Sequence, residues 1–136
     1  MITENNLTSS EQLSYHKDGY VVRENIFSKT EVIEINVALE RAVSKALLLS
    51  KIGDVYHLDG KRFVDLDYLT VQFEPGRDSE TIRVIEPAHQ LDKDLKELIA
   101  DPRLVGPIQD IIGMKSISLW TDKLNLKRPK EGSGFG

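Results

Sequence analysis

The stretch from Lys29 to Leu49, KTEVIEINVALERAVSKALLL, carries apolar side chains at Val32, Ile35, Leu39, Ala42, Val43, Ala46 and Leu47. That spacing repeats with the turn of an α-helix and predicts a long amphipathic helix with one apolar stripe. Ser28, three residues before Glu31, has the spacing of a capping box, in which hydroxyl and carboxylate each satisfy an orphan backbone N–H. The residues that follow change period.

Within Asp54 to Leu69, Asp59-Gly60 separates two runs of strand character and predicts a tight hairpin. Leu69, Val71 and Phe73 alternate with polar residues, Pro75-Gly76-Arg77-Asp78 turns the chain, and Thr81 to Ile85 forms the next strand. Asp92 caps a helix through Leu95, Leu98 and Ile99. Asp101 caps a second, with Pro102 at its first position, through Leu104, Val105, Ile108 and Ile111 to Gly113. Both short helices are expected to stack on the sheet. Ahead of the long helix, Ser9 or Ser10 caps a short one through Glu11, Leu13 and Tyr15 that ends at Asp18-Gly19, and Tyr20-Val21-Val22 reads as a brief strand. From Ser116 to Lys127 the chain alternates again. Ile117, Leu119, Thr121, Lys123, Asn125 and Lys127 share one face; Ser118, Trp120, Asp122, Leu124 and Leu126 share the other. The fold class is α+β, with no repeat, linker or internal boundary, so residues 1–136 form one domain or part of one.

Composition narrows the function. The 22 acidic residues outnumber 18 Lys and Arg, giving a net charge of -4 and no basic footprint for nucleic acid. Without cysteine there is no disulfide, thiolate metal site or cysteine nucleophile, so only His, Asp and Glu could hold a metal. The N-terminus is polar and acidic, unlike a signal peptide, and the longest apolar run, Ala46 to Leu49, is too short to span a membrane. The expected location is cytoplasmic.

His57-Leu58-Asp59 has the spacing of two ligands of a non-haem iron site, yet Asp59 is accounted for as the first residue of the hairpin turn. His16 reads as a helix-surface residue and His89 as a loop residue, and the three histidines lack zinc-type spacing. Glu74 in VQFEPGR could sit at a site mouth, but Pro75-Gly76 is more simply a turn. Arg83 in TIRVIEP is either an inward guanidinium able to grip a carboxylate or an exposed strand-edge residue. Gly132, Gly134 and the Lys127 to Lys130 run open no helix, so they form no phosphate-binding fingerprint.

Several stretches together resemble the phytanoyl-CoA dioxygenase family of Fe(II)- and 2-oxoglutarate-dependent oxygenases. YHKDGYVVREN followed by Phe27-Ser28 and a long helix resembles the family's opening, IADPRLVGPIQDIIG its paired helices, and DKLNLKRPKEGSGFG the strand and loop before its first iron ligands. The matches span nearly the whole chain, and the last is the most specific. The resemblance implies a double-stranded β-helix, a jelly-roll of the cupin type, of which this chain would hold the flanking helices and first strands as an incomplete N-terminal part. It implies Fe(II) and 2-oxoglutarate as cofactor and co-substrate, O₂ and a small organic molecule as substrates, and a hydroxylated product. The family's His-x-Asp pair follows the final loop, so no catalytic residue or metal ligand is expected in this chain, and it is expected to be inactive and poorly soluble alone. His57 and Asp59 lie ahead of the paired helices, where the family's ligands come after them. Asn125 aligns with a polar position that contacts 2-oxoglutarate, Arg83 falls near a basic co-substrate contact, and Thr121 and Lys123 share the face of Asn125. Leu124 takes that place if the register shifts by one. Two other readings stay open: a complete small α+β binding or interaction domain without catalysis, and, last, a metal hydrolase using His57 and Asp59.

Overall fold

The computed structural model describes residues 5–76, 78–130 and 132. In chain order come α1 (Ser9–Asp18), α2 (Lys29–Leu49), β1 (Asp54–Leu58), β2 (Lys61–Leu66), β3 (Leu69–Phe73), β4 (Ile82–Glu86), α3 (Lys93–Leu98), α4 (Pro102–Ile112) and β5 (Leu124–Asn125). The five strands form one antiparallel sheet in sequence order, β1 through β5, with α2 laid across one face. This is the α+β architecture that the sequence predicts. None of the described helices is long and apolar enough to cross a membrane.

α2 keeps its expected bounds and its capping box. The Ser28 hydroxyl accepts from Glu31 N at 3.2 Å, and the Glu31 carboxylate accepts from Ser28 N at 2.7 Å. Its buried line is narrower than the apolar stripe suggests. Ala38, Ala42 and Ala46 are wholly buried and Ser50 nearly so, a run of small residues at every fourth position. Leu39, Val43 and Leu47 flank that line, while Val32 is 45% exposed beyond it. Small side chains on this line share one buried cluster with the pleat of Val64, Val71 and Ile85, which lets helix and sheet pack without bulky side chains between them. Gly53, in the turn from α2 to β1, serves the same packing: a Cβ there would lie 2.5 Å from Val64 Cγ1 and 2.7 Å from the Asp65 carbonyl.

The β1–β2 hairpin turns at Asp59 and Gly60, both with positive φ (50° and 72°), the twist that a two-residue connection between right-twisted strands requires. Register fixes the two faces. Val55, Val64, Val71, Ile85 and Leu124 line up across the sheet on the helix side, and Tyr56, Phe63, Gln72, Val84 and Asn125 line up on the opposite side. A bulge between Gln72 and Phe73 lets Ile82 and Ile85 both reach the core and leaves Arg83 as the extra residue.

Four expectations are corrected. The first helix is capped by Thr8, not by Ser9 or Ser10. Thr8 and Glu11 form a second capping box, with Thr8 N donating to Glu11 at 2.7 Å. Tyr20-Val21-Val22 joins no strand. The segment is held by side chains instead, Arg23 donating to Glu11 at 3.0 Å and to the Asn5 carbonyl at 3.4 Å. The last strand is confined to Leu124–Asn125 instead of Ser116 to Lys127. Its neighbour β4 stops at Glu86, where Pro87 has no N–H to offer, and Trp120 stands 98% exposed off the sheet. α3 packs on the core through Leu95, but α4 contributes no residue to it. α4 packs against the N-terminal segment: Gly106 lies beneath Asn5, and the Asp110 carboxylate accepts from Leu7 N at 2.6 Å and from Asn6 Nδ2 at 2.8 Å.

Arg103 ties these helices together. It donates to Asp101, the cap of α4, and to Glu31, the capping-box acid of α2, both at 2.7 Å, and its guanidinium lies 4.3 Å above the Phe27 ring. The backbone N–H of Ser28, then the Arg103 guanidinium, lower the Glu31 carboxyl to about 2.

Two outcomes follow from this packing. Ala42→Leu should destabilise the chain by about 1–3 kcal/mol through overpacking, read as a lower urea midpoint. Because the folded Glu31 titrates below its ordinary value of 4.5, the stability it contributes is fully present above that value and is lost as pH falls towards about 2. Glu31→Gln should therefore flatten the acid limb of a stability profile over that window, and an unchanged limb would assign acid sensitivity elsewhere.

Candidate functional site

The sheet face opposite α2 carries the residues singled out in the last strand. Asn125 stands beside Val84 in register and is exposed. One residue pair further along, the Glu86 carboxylate gathers two of its neighbours: Lys123 Nζ lies 2.8 Å from Oε2, and Thr121 Oγ1 donates to Oε1 at 3.3 Å. Thr121, Lys123 and Asn125 therefore border one patch, with Lys123 partly neutralised by Glu86. Leu124 points the other way, towards the core, which fixes the register for Asn125.

Arg83 is an inward guanidinium, 3% exposed, and the carboxylate it approaches is Glu74 at 3.5 Å, itself 5% exposed. Glu74 is thus inside the protein and not at a site mouth, while Gly76, at φ 127°, makes the turn beyond it. The two are linked to β5 through the backbone, since the Arg83 carbonyl accepts from Leu126 N at 2.8 Å. Breaking one partner of such a buried pair strands the other charge in a poorly solvating interior.

Further across the same face, Tyr56 and Phe63 stack with centroids 5.1 Å apart and planes at 12°. Asp65 accepts from Thr70 Oγ1 at 2.7 Å. Desolvation, reinforced by the Asp65 charge and hydrogen bond, raises the Tyr56 phenol above its ordinary value. The face is a mixed aromatic and polar surface bounded by carboxylates.

His57 and Asp59 lie on the exposed hairpin, His57 opposite Arg62 and Asp59 in the turn itself. His16 is exposed on α1. His89 is a loop residue, but a fastened one. Asp122 accepts from Ala88 N at 2.9 Å and His89 N at 3.0 Å and also meets His89 Nδ1, so one carboxylate pins the chain leaving β4 to the chain entering β5. In the basic run, Arg128 pairs with Glu40 at 2.9 Å; Gly134 lies outside the described residues. Among the described residues, no group of three or more His, Asp and Glu side chains is placed to hold a metal ion.

Sequence reasoning did not single out Glu86 or the anchoring role of Asp122. Glu86 was within reach of period-two counting, because it falls on the face of Val84. The bond from Asp122 to the loop around His89 crosses a long stretch of chain and leaves no local signal.

Comparison with known proteins gives one group of relatives. The ectoine dioxygenases of Bordetella parapertussis and Bordetella bronchiseptica are each 26% identical to this chain over 129 residues, covering 95% of it and 35% of their own length. The ectoine dioxygenase of Nocardia farcinica is 27% identical over 128 residues, covering 93% and 36%. The chain thus spans about a third of the length of the curated relatives it matches. No family model and no solved structure matches it. The similarity agrees with the resemblance in sequence at the level of a dioxygenase.

Asp122→Ala should cost about 1–3 kcal/mol by leaving the Ala88 and His89 N–H groups without their acceptor. Denaturant unfolding measures the loss, and faster amide exchange at residues 88 and 89 locates it.

Proposed function

We propose that this chain is the N-terminal part of an Fe(II)- and 2-oxoglutarate-dependent dioxygenase that hydroxylates a small organic substrate with O₂. The observation that carries this reading is the similarity to three ectoine dioxygenases over almost all of the chain. Ectoine is accordingly the first substrate to try. Within this reading the five-stranded sheet belongs to a jelly-roll, with α2 outside and the face of Asn125 turned to the interior.

The described residues give iron no ligand set, so the chain's own contribution is to the co-substrate. Asn125 has an amide able both to donate to and to accept from a dicarboxylate. Thr121 supplies a hydroxyl at the Glu86 carboxylate. Lys123 supplies a cation that a dicarboxylate would share with, or take from, Glu86. Arg83 acts from beneath: its carbonyl fixes Leu126 and with it the strand bearing Asn125, while its guanidinium holds Glu74.

The test begins with the coding sequence beyond codon 136. A His-x-Asp pair within a few codons, then a further His and Arg, is expected. The polypeptide so encoded should convert ectoine to a hydroxylated product only with Fe(II), 2-oxoglutarate and O₂ present. Asn125→Ala should raise KM for 2-oxoglutarate by about tenfold with a smaller change in KM for ectoine, since a lost hydrogen bond to a charged group is worth that much. A reading frame without the ligand residues, or turnover independent of 2-oxoglutarate, would sink the proposal.

A further inference from the structure

A second surface lies on the other side of the molecule from the Asn125 face. Between α2, α3 and the start of α4 runs an open hollow of about 600 Å³, floored by Phe27, Ala38 and Leu98. It continues along α2 into a second of about 580 Å³, bounded by Asn36, Glu40 and Ser44. Ile33 and Val37 line both, one turn apart on the exposed side of α2, and are 63% and 51% exposed. From Glu31 to Ser44 the groove follows α2 for about 20 Å, the length of a helix of about 14 residues.

Its lining is more acidic than basic. Arg41 is held by Asp92 at 2.7 Å and Asp94 at 2.6 Å, with Lys93 Nζ also 3.9 Å from Asp94, Arg103 is held by Glu31 and Asp101, and in the second hollow Glu40 is paired with Arg128. Glu34 on one wall and Glu97 on the other are exposed and have no ion-pair partner among the described residues. Glu34 and Glu97 therefore leave carboxylates unpaired among the described residues on the same lining as the exposed apolar Ile33 and Val37, an arrangement that suits cationic groups.

We infer that this groove docks an amphipathic helix of another polypeptide, one whose apolar stripe covers Ile33 and Val37 and whose flanking Lys or Arg side chains reach Glu34 and Glu97. Apolar anchors on one helix face, spaced to match a groove, are how such partners are read. A second copy of this chain is a poor match. Its net charge is -4, and on the exposed apolar face of its own α4, with Leu104, Ile108 and Ile112, the one basic residue within the helix is Arg103, which is already paired. The inference is independent of the oxygenase reading, because it uses none of the residues on the Asn125 face.

The probe is an acetylated, amidated peptide of about 14 residues with leucines at helical intervals and lysines elsewhere, titrated into the isotope-labelled polypeptide that the full reading frame encodes. Saturable amide shifts confined to residues 31–44 and 94–101 are expected, with no saturation by the same peptide carrying glutamates for lysines. Glu34→Lys with Glu97→Lys should weaken binding by about tenfold or more, and Glu34→Gln with Glu97→Gln by less. Both sites are exposed, and an unchanged amide spectrum of each variant without peptide verifies its fold. Shifts centred on the Asn125 face or α4, or an affinity indifferent to both pairs of variants, would overturn the inference. So would concentration-dependent shifts at the groove without peptide, which assign it to a second copy. Amides of 33–44 already protected before the peptide is added, with no response to it, would assign the groove to the polypeptide's own remaining residues.

Discussion

The close approach of α2 to the sheet sets the geometry of everything else. Ala38, Ala42, Ala46 and Ser50 place a seam of minimal side chains against Val64, Val71 and Ile85, and larger leucines and valines on either side close the edges. A seam of small residues contributes little apolar area of its own. What it does is set the distance at which Phe73, Ile82, Leu91 and Leu95 can fill the remaining space. Because Gly53 follows directly, with no room for a Cβ between it and β2, the helix and the first hairpin are held at one separation and one angle.

Around that layer, single carboxylates and one guanidinium fix the irregular parts. Asp110 binds the Asn6-Leu7 backbone to α4, Asp122 binds the Ala88-His89 backbone to the entry of β5, and Arg103 binds the starts of α2 and α4 to Phe27. Each satisfies backbone groups or charges that a ladder or helix would otherwise leave open. Irregular chain here is ordered by polar bonds over long sequence separations, whereas the regular layer is ordered by burial. The Asn125 patch sits where the two systems meet, its strand paired to β4 on one side and fastened through Asp122 at its start.

What the sequence made legible was local. The bounds of α2 follow from a capping box and a 3.6-residue period, and the β1–β2 turn from Asp59-Gly60, signals complete within a few residues. Thr8, three residues before Glu11, carries an equally local cap signal that the two serines beside it compete with. The rest depended on partners. Tyr20 to Val22 has strand chemistry and no strand to join, and residues 116–123 alternate without a neighbour because β4 ends at Glu86, before Pro87. α4 has a strongly apolar face, but Gly106 and Asp110 commit it to the N-terminal segment. In the candidate site, alternation put Asn125 on the face of Val84, while Thr121 and Lys123, outside the strand, meet at the Glu86 carboxylate. Alternation could not show that Glu86 would bridge those two, or that Arg83 would find its carboxylate within the protein.

The two turns that bracket β1 differ in one respect with a practical consequence. At Gly53 the backbone is wedged against β2, so any added residue there must displace the core. At Gly60 nothing lies within 4 Å of where a Cβ would stand, and the strand leading to it is exposed throughout. Lengthening a flexible loop costs only about 0.6 kcal/mol for each doubling. The hairpin tip is therefore the place where a reporter, an affinity handle or an entire guest sequence can be spliced into this polypeptide while the layer beneath keeps its registration.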